Sequence, residues 1–468
     1  MIFLSFFSFL LLFILIGIFS TLKNRKTVSD YFLASHTQKP WMIALAAVAT
    51  NNSGYMFIGM IGYSYLKGIS AFWIMILAIL GDFCASLFVH KKLRVAAAKS
   101  SSLSFSEAIS KWNGVNYPIV RTISAILIVI FLGVYAAAQL RAGGKALYAL
   151  FGWDLSFGAI IGAVIVLFYC FLGGIRASIW INTVQSFIMI ASMAVLFFSA
   201  LKEVGGIDAF VTGLKNVSPS YVSMLPSDLF FNTSIGFILF LIGWFFDGFG
   251  IIGQPHIMTS FMALRRAEDV SKIRIYYYSW YIIFFALTIA TGLICRLLIP
   301  IESGFDPELA LPVLSQQILP DVLIGFILAG IFSSTMSTAD SQLLSCSAAI
   351  TNDLFKEKKS YIFVKFTTVV VTIFATIIAV TNSESVFYLA NLGWLALACS
   401  FSPVILVYAF GGKMSQKLVL TMMFTGFVVM LLWRYFELES MMYDAAPAII
   451  AGVLPYLFVR LSKKFLKI

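Results

Sequence analysis

Charge is what this sequence has least of. Of 468 residues, 11% are Asp, Glu, Lys or Arg, against about 25% in a typical soluble chain. Apolar residues make up 60% and mean hydropathy is +0.96, which leaves too little polar surface to coat a globule in water. Histidine is scarce, with three residues (His36, His90 and His256) at the edges of apolar runs. They form no ligand pair and read as interfacial. The five cysteines fall in or beside apolar runs without CxxC spacing, which excludes a disulfide framework and a zinc site. A Walker loop, an HExxH and a nucleophile elbow are all missing. An ATP-driven pump or an intramembrane hydrolase therefore has no chemical support, and no organic cofactor is expected.

Long apolar runs fill most of the chain, so the expected class is all-α integral membrane, since helices satisfy their own backbone in lipid. At about 20 residues per crossing, spans are expected near 2–20, 40–66, 69–90, 118–142, 155–175, 177–201, 233–255, 274–298, 321–350, 361–381, 385–411, 416–434 and 443–460, thirteen in all. The first run is followed by Lys23, Arg25 and Lys26, the reverse of a signal peptide, and is expected to be retained. Alternate loops carry 25 of the 32 basic residues, which predicts an N-terminus outside and a cytoplasmic C-terminus. The net charge of +11 lies in short clusters between runs, a topological pattern rather than a nucleic-acid stripe. Tyr276, Tyr277, Tyr278 and Trp280 follow Arg274 and read as an interfacial belt, while Arg141 is expected to snorkel outward. No Pro/Ser-rich linker or soluble extension follows residue 460, so a fused signalling domain is not expected; no obligatory protein partner is evident in the sequence.

Two spans are interrupted. The second contains Thr50-Asn51-Asn52-Ser53-Gly54, and the seventh contains Asp247-Gly248-Phe249-Gly250-Ile251-Ile252-Gly253-Gln254-Pro255. Breaks five spans apart point to an inverted-repeat transporter whose unwound backbone contacts ion and solute; each break alone also fits a packing device at a helix crossing. The ninth span runs Ser333 to Gln342 with six hydroxyls and a carboxylate in ten residues. Hard oxygens suit an unsolvated small cation, and the competing reading is hydroxyls bonded back to their own helix. Asp82, Asp247 and Asp340 are the acids well inside spans, which makes each a functional candidate.

With Ser29-Asp30-Tyr31-Phe32-Leu33, Ala44-Leu45 through Asn52-Ser53-Gly54, Gly68-Ile69-Ser70 and Trp180-Ile181-Asn182-Thr183-Val184-Gln185, the sequence resembles the sodium/solute symporter family, most closely its sodium/proline symporters. The match continues through Gly253-Gln254-Pro255-His256, Phe261-Met262-Ala263, Met336-Ser337-Thr338, Gln342-Leu343-Leu344, Ile350-Thr351-Asn352-Asp353-Leu354 and Ser402-Pro403. The resemblance implies a LeuT-like five-plus-five inverted repeat with one extra N-terminal and two extra C-terminal helices. Divided accordingly, residues 1–39 hold the extra helix and a loop, 40–232 the first repeat with an outer loop, 233–411 the second repeat, and 412–468 the last two helices with a basic tail. It implies a sodium site from the carbonyls of Ala49, Asn52 and Ser334 with the hydroxyls of Ser337 and Thr338. It also implies solute contacts near Ser53, Gly54, Tyr135, Asp247, Ile251 and Pro255. The chain departs from proline symporters at Asn51 and Asn182, where they carry aspartates linked to coupling, and at Asp247 and Ile251, where they tend to be aromatic. Asn51, Asn182 and Asp340 are therefore the coupling candidates. An amide can still coordinate through its oxygen, and the sugar-transporting branch has asparagine at the first position.

The expected activity is cation-coupled import, with sodium as the ion, of a small polar, amino-acid-like solute such as proline across a bacterial inner membrane by alternating access. The expected partners are that solute, sodium and the lipid bilayer. A transporter-like receptor without net transport and a proton-coupled symporter stay open at this point. A channel fits less well, because paired breaks suit alternating gates better than a continuous pore.

Overall fold

The structure, a computed structural model, describes residues 1–465 except 24, 228, 230, 232, 302–303, 356–359 and 383, and except the side chains of 169, 172 and 463–465. Lys356, Lys358, Lys359 and Lys467, with the side chains of Lys463 and Lys464, were part of the charge asymmetry and lie outside the described set.

The described residues form helices and connections. The main helices are α1 (Ile2–Thr21), α2 (Pro40–Asn51), α3 (Met60–Lys67), α4 (Ala71–Phe88), α5 (Pro118–Phe151), α6 (Leu155–Val204), α7 (Ser234–Phe249), α8 (Pro255–Met262), α9 (Val270–Leu298), α10 (Asp321–Ala348), α11 (Tyr361–Thr381), α12 (Val386–Ala409), α13 (Gln416–Tyr435) and α14 (Ala445–Phe465). Eleven described stretches are long and apolar enough to cross a membrane, fewer than the thirteen expected. Part of the difference lies at Pro40–Asn51 and Leu155–Phe168, apolar helices too short to cross alone. The rest lies in Tyr55–Phe88, one of the eleven, which turns at Gly68. There φ is +73° and an added Cβ would stand 2.1 Å from the Tyr221 carbonyl oxygen, so only glycine fits the bend. Gly174 does the same inside α6, with φ +56° and the Tyr31 carbonyl oxygen 2.6 Å from an added Cβ.

Both expected breaks are present, for different reasons. Between α7 and α8 the ladder must stop because Pro255 has no N–H and biases Gln254 out of the helical region; Gln254 is extended at φ −95°, ψ 102°. Proline at the first position then starts α8 at no cost. The α2 break has no proline. Its freed groups are taken up by side chains instead, the full accounting that a membrane interior demands. The Ala49 and Thr50 carbonyls lie 3.1 Å and 2.8 Å from the Ser337 and Thr338 hydroxyls, and the Gly54 N–H donates to Gln139 Oε1 at 2.8 Å.

α10 lies at the centre, packed against α1, α2, α5, α6 and α11. Every residue from Gly330 to Asp340 is buried, so its polar run faces protein and not lipid. Several basic residues serve packing as well as topology. Arg176 pairs with Asp30 at 2.5 Å, Arg121 with Asp353 at 2.6 Å and Glu107 at 3.1 Å, and Lys145 with both Asp306 and Glu308 at 2.5 Å. Arg141 donates to the Asn382 carbonyl, so its expected snorkelling is replaced by a bond to the protein. The aromatic belt is corrected too. Tyr276 is half exposed, whereas Tyr277, Tyr278 and Trp280 are buried and donate to Asp82 and to the Ser186 carbonyl. His90 and His256 are likewise buried rather than interfacial. Each reading failed because a residue near the end of a span lies against a neighbouring helix that the linear pattern does not reveal.

Candidate ion and solute sites

The five hydroxyls of α10 between Ser333 and Thr338 divide into two groups. Ser333, Ser334 and Thr335 donate back to Ala329, Ile331 and Phe332 of their own helix, which is the ordinary fate of such residues. Ser337 and Thr338 also reach across to the end of α2. Ser337 Oγ lies 3.1 Å from the carbonyl oxygens of both Ala49 and Ser334. Thr338 Oγ1 lies 2.8 Å from the Thr50 carbonyl and 3.2 Å from that of Ser334. A hydroxyl has one proton and cannot donate to two carbonyls at once. Three carbonyls and two hydroxyls, five hard oxygens without formal charge, thus converge where α2 ends, a donor set suited to a hard monovalent cation. Four of the five residues expected at an ion site contribute to this cluster. The Thr50 carbonyl was missed, while Asn52 stands at the break with its Oδ1 buried and without a hydrogen-bond partner. Among the described residues no group of three His, Cys, Asp or Glu could hold a metal.

A second polar cluster adjoins the first through Ser337. Asn182 Nδ2, from α6, lies 3.1 Å from the Ser337 carbonyl, 3.2 Å from Ser178 Oγ and 3.3 Å from Asp340 Oδ1. Thr50 Oγ1 donates to the Ser337 carbonyl at 3.0 Å, and Ser341 Oγ donates to Asp340 Oδ1 at 2.8 Å. Asn182 Oδ1 and Asp340 Oδ2 are buried without hydrogen-bond partners. Asn51 is handled differently. Its amide donates to the Tyr277 hydroxyl at 2.8 Å, and that hydroxyl donates to Asp82 Oδ2 at 3.0 Å. Each of the two asparagines is thus within one hydrogen bond, or two, of a carboxylate on another helix.

Above the break lies a cavity of about 60 Å³ whose lining includes Asn51, Tyr55, Tyr135, Asp247, Tyr281 and Trp394. Apolar walls with a few convergent polar groups are the usual character of a small-molecule site. Of the residues expected at the solute, Tyr135 and Asp247 line it, and Asp247 Oδ1 is buried without a hydrogen-bond partner. Ser53 Oγ touches the Tyr135 hydroxyl at 3.3 Å. Gly54 packs behind the break, where an added Cβ would stand 2.7 Å from Thr335 Cγ2. Ile251 and Pro255 are buried outside the lining. Sequence reasoning missed Tyr55, Tyr281, Asn391 and Trp394, which also line the cavity. Asn391, an amide inside an apolar run, was the available signal for α12.

Broken helices meeting a polar central helix, with an oxygen cluster and a cavity at the first break, define the class of helical membrane carriers with discontinuous spans. The family follows from the sequence itself. The sequence model of the Sodium:solute symporter family matches residues 31–426, and the chain belongs to that family. It is a multi-pass membrane transporter that couples a solute to sodium. Sodium/proline symporter 2 of Staphylococcus saprophyticus is 30% identical over 474 residues, covering 95% of this chain and 89% of that protein. The high-affinity proline transporter PutP of Bacillus subtilis is 28% identical, covering 95% of each. In fold, the chain is similar to a sodium-coupled sialic acid symporter solved in a substrate-bound outward-open state, with a TM-score of 0.81, 17% identity and 97% of each chain covered. It is also similar to MhsT in complex with L-phenylalanine, with a TM-score of 0.55, 15% identity, and 90% of this chain and 99% of that one covered.

Proposed function

We propose that this chain imports an amino-acid-like solute bearing an ammonium group, proline or a close relative, together with sodium across a bacterial inner membrane. The observation that carries the reading is the pair of α10 hydroxyls, Ser337 and Thr338, each within hydrogen-bond distance of a carbonyl at the end of α2 and of the Ser334 carbonyl. Sodium is cargo here: bound at that cluster, it would tie α2 to α10 and bias the two helices toward one gate position. Neighbouring Asn182 and Asp340, and Asn51 through Tyr277, are the groups proposed to tune coupling. Asp247 is proposed to face the solute ammonium, because a carboxylate in a low-dielectric cavity needs a cation or a proton. Ser53, Gly54, Ile251 and Pro255 shape the two breaks around it.

The proposed topology has thirteen crossings. α2 and α3 together make one, Gly68 separates it from the next, and Leu155–Phe168 begins another that ends near Gly174. Residues 40–232 and 233–411 form the two inverted repeats, residues 1–39 and 412–468 flank them, and the basic loops put the N-terminus outside. The deciding experiment is uptake of radiolabelled proline into proteoliposomes driven by a sodium gradient, with potassium as control. Sodium-dependent accumulation is expected, and Ser337→Ala with Thr338→Val should raise the sodium concentration for half-maximal uptake about tenfold or more without lowering expression in step. An unchanged sodium dependence in the double variant removes the ion-site assignment.

A further inference from the structure

The connection between α13 and α14 reaches into the transporter core, where peripheral helices would need only apolar packing. It carries the Tyr443 ring onto the Trp244 ring of α7, with centroids 4.2 Å apart and planes 15° from parallel. Gly243 makes the approach feasible, since a Cβ there would stand 2.7 Å from the Tyr443 backbone nitrogen. Trp244 lies three residues before Asp247 and lines the solute cavity. The same Trp244 also lines a second cavity of about 130 Å³, whose other walls include Tyr63, Glu439 and Met441. The indole is therefore a wall common to the solute cavity and to a space formed by the connection.

The base of the connection is tied. Arg434 Nε donates to Asp444 Oδ2 at 2.6 Å, and Trp433 Nε1 donates to the Met442 carbonyl at 2.8 Å. The Arg434 guanidinium also lies over the Tyr388 ring of α12, 5.7 Å from its centroid. Yet Arg434 Nη1, Asp444 Oδ1, the Tyr443 hydroxyl and Asp247 Oδ1 are all buried without hydrogen-bond partners. Four such polar atoms in one place are costly in a static brace. They suit an element that exchanges between this position and one where water or solute reaches them.

We infer that Trp244 is the outer gate of the solute cavity and that Tyr443 latches it closed, positioned by the Arg434–Asp444 ion pair. This deepens the proposed function and rests on it for the nature of the solute and for the side called outer. Stacked rings hold by dispersion and quadrupole contact alone, so the latch can open thermally, while the ion pair returns Tyr443 to register. Tyr443 and Arg434 are positioning residues, and Trp244 is the group that blocks the path.

The test places a cysteine at Ala390, which lines the solute cavity, and follows its reaction with a membrane-impermeant maleimide in right-side-out vesicles, with the chain lacking the added cysteine as background. Tyr443→Ala should raise the labelling rate tenfold or more, and Tyr443→Phe, which keeps the stacking face, should stay within about twofold of the parent. Arg434→Asp and Asp444→Arg should each raise the rate, and the double swap should bring it back toward the parent. If Tyr443→Ala does not fold, Gly243→Ala decides the matter, because its Cβ would push Tyr443 off the indole and should open the site likewise. Labelling at the parent rate in the folded variant, equal opening by Tyr443→Phe and Tyr443→Ala, or reaction only from the cytoplasmic face would each overturn the inference. Labelling reads the gate whatever is carried. Predicted labelling with no sodium-driven uptake would fail the proposed function and keep the gate; normal uptake with unchanged labelling would fail the gate alone.

Discussion

Asn182 Nδ2 on α6 lies 3.3 Å from Asp340 Oδ1 on α10, and the remaining oxygen of each side chain is buried without a hydrogen-bond partner. The pair joins a neutral oxygen ligand to a carboxylate beside the Ser337 carbonyl. If the pair tunes cation affinity, Asp340→Asn should raise the sodium concentration for half-maximal uptake about tenfold, equivalent to ~1.4 kcal/mol of lost binding. Asn182→Asp added to Asp340→Asn should recover much of it, because the charge returns within a few ångströms. Equal sodium dependence in all variants would reduce the pair to helix bracing.

Asn51 gives a prediction with opposite sign in the single and double variants. Asn51→Asp leaves two carboxylates competing for the one proton of the Tyr277 hydroxyl, which already donates to Asp82. The single variant should lower the thermal midpoint in detergent. Asn51→Asp with Asp82→Asn, which restores one carboxylate and one amide around the same hydroxyl, should recover it. A single variant as stable as the parent would show that Tyr277 does not bridge the two residues.

Asp247→Asn separates three roles for the cavity carboxylate. Paired with a solute ammonium, its loss should weaken amine-bearing solutes by about 3 kcal/mol, the scale of leaving one buried charge unpaired, and spare analogues lacking the amine. A transported proton would show instead as a flattened pH profile at unchanged solute affinity. Loss confined to sodium affinity would make the residue part of the ion path. Wild-type behaviour in all three measurements would remove Asp247 from the solute site.

Asp30 and Arg176 predict the acid limit of the fold. Burial pushes the Asp30 carboxyl up, but hydrogen bonds from the Arg25 amide and the Ser35 hydroxyl, with the Arg176 guanidinium, hold it below the usual 3.8. The folded value is depressed, so the stabilisation is fully present above the unfolded carboxylate range, about 4, and is lost as pH falls through the folded value. Asp30→Asn should cost about 3 kcal/mol at neutral pH, because Arg176 is then buried without its partner. It should also shrink the drop in thermal midpoint between pH 5 and pH 3. An equal acid slope in variant and parent would assign the acid sensitivity to other carboxylates.

Much of this protein is legible without coordinates: an all-helical membrane chain, two interrupted spans, and a hydroxyl-rich stretch too polar for lipid. These were legible because apolar length, proline chemistry and the cost of unpaired backbone act locally. Even there local pattern had limits. The five hydroxyls between Ser333 and Thr338 look alike in sequence, and only the end of α2 packed against Ser337 and Thr338 separates those two from Ser333, Ser334 and Thr335, which bond back to their own helix. The carboxylates near Asn51 and Asn182 come from α4 and α10, distant in the chain, and Tyr277 looks interfacial until Asp82 is seen against it. Tertiary structure decided these points because a side chain's partner in a helical bundle is set by which faces meet. Those contacts join residues more than a hundred positions apart, beyond the reach of any local pattern.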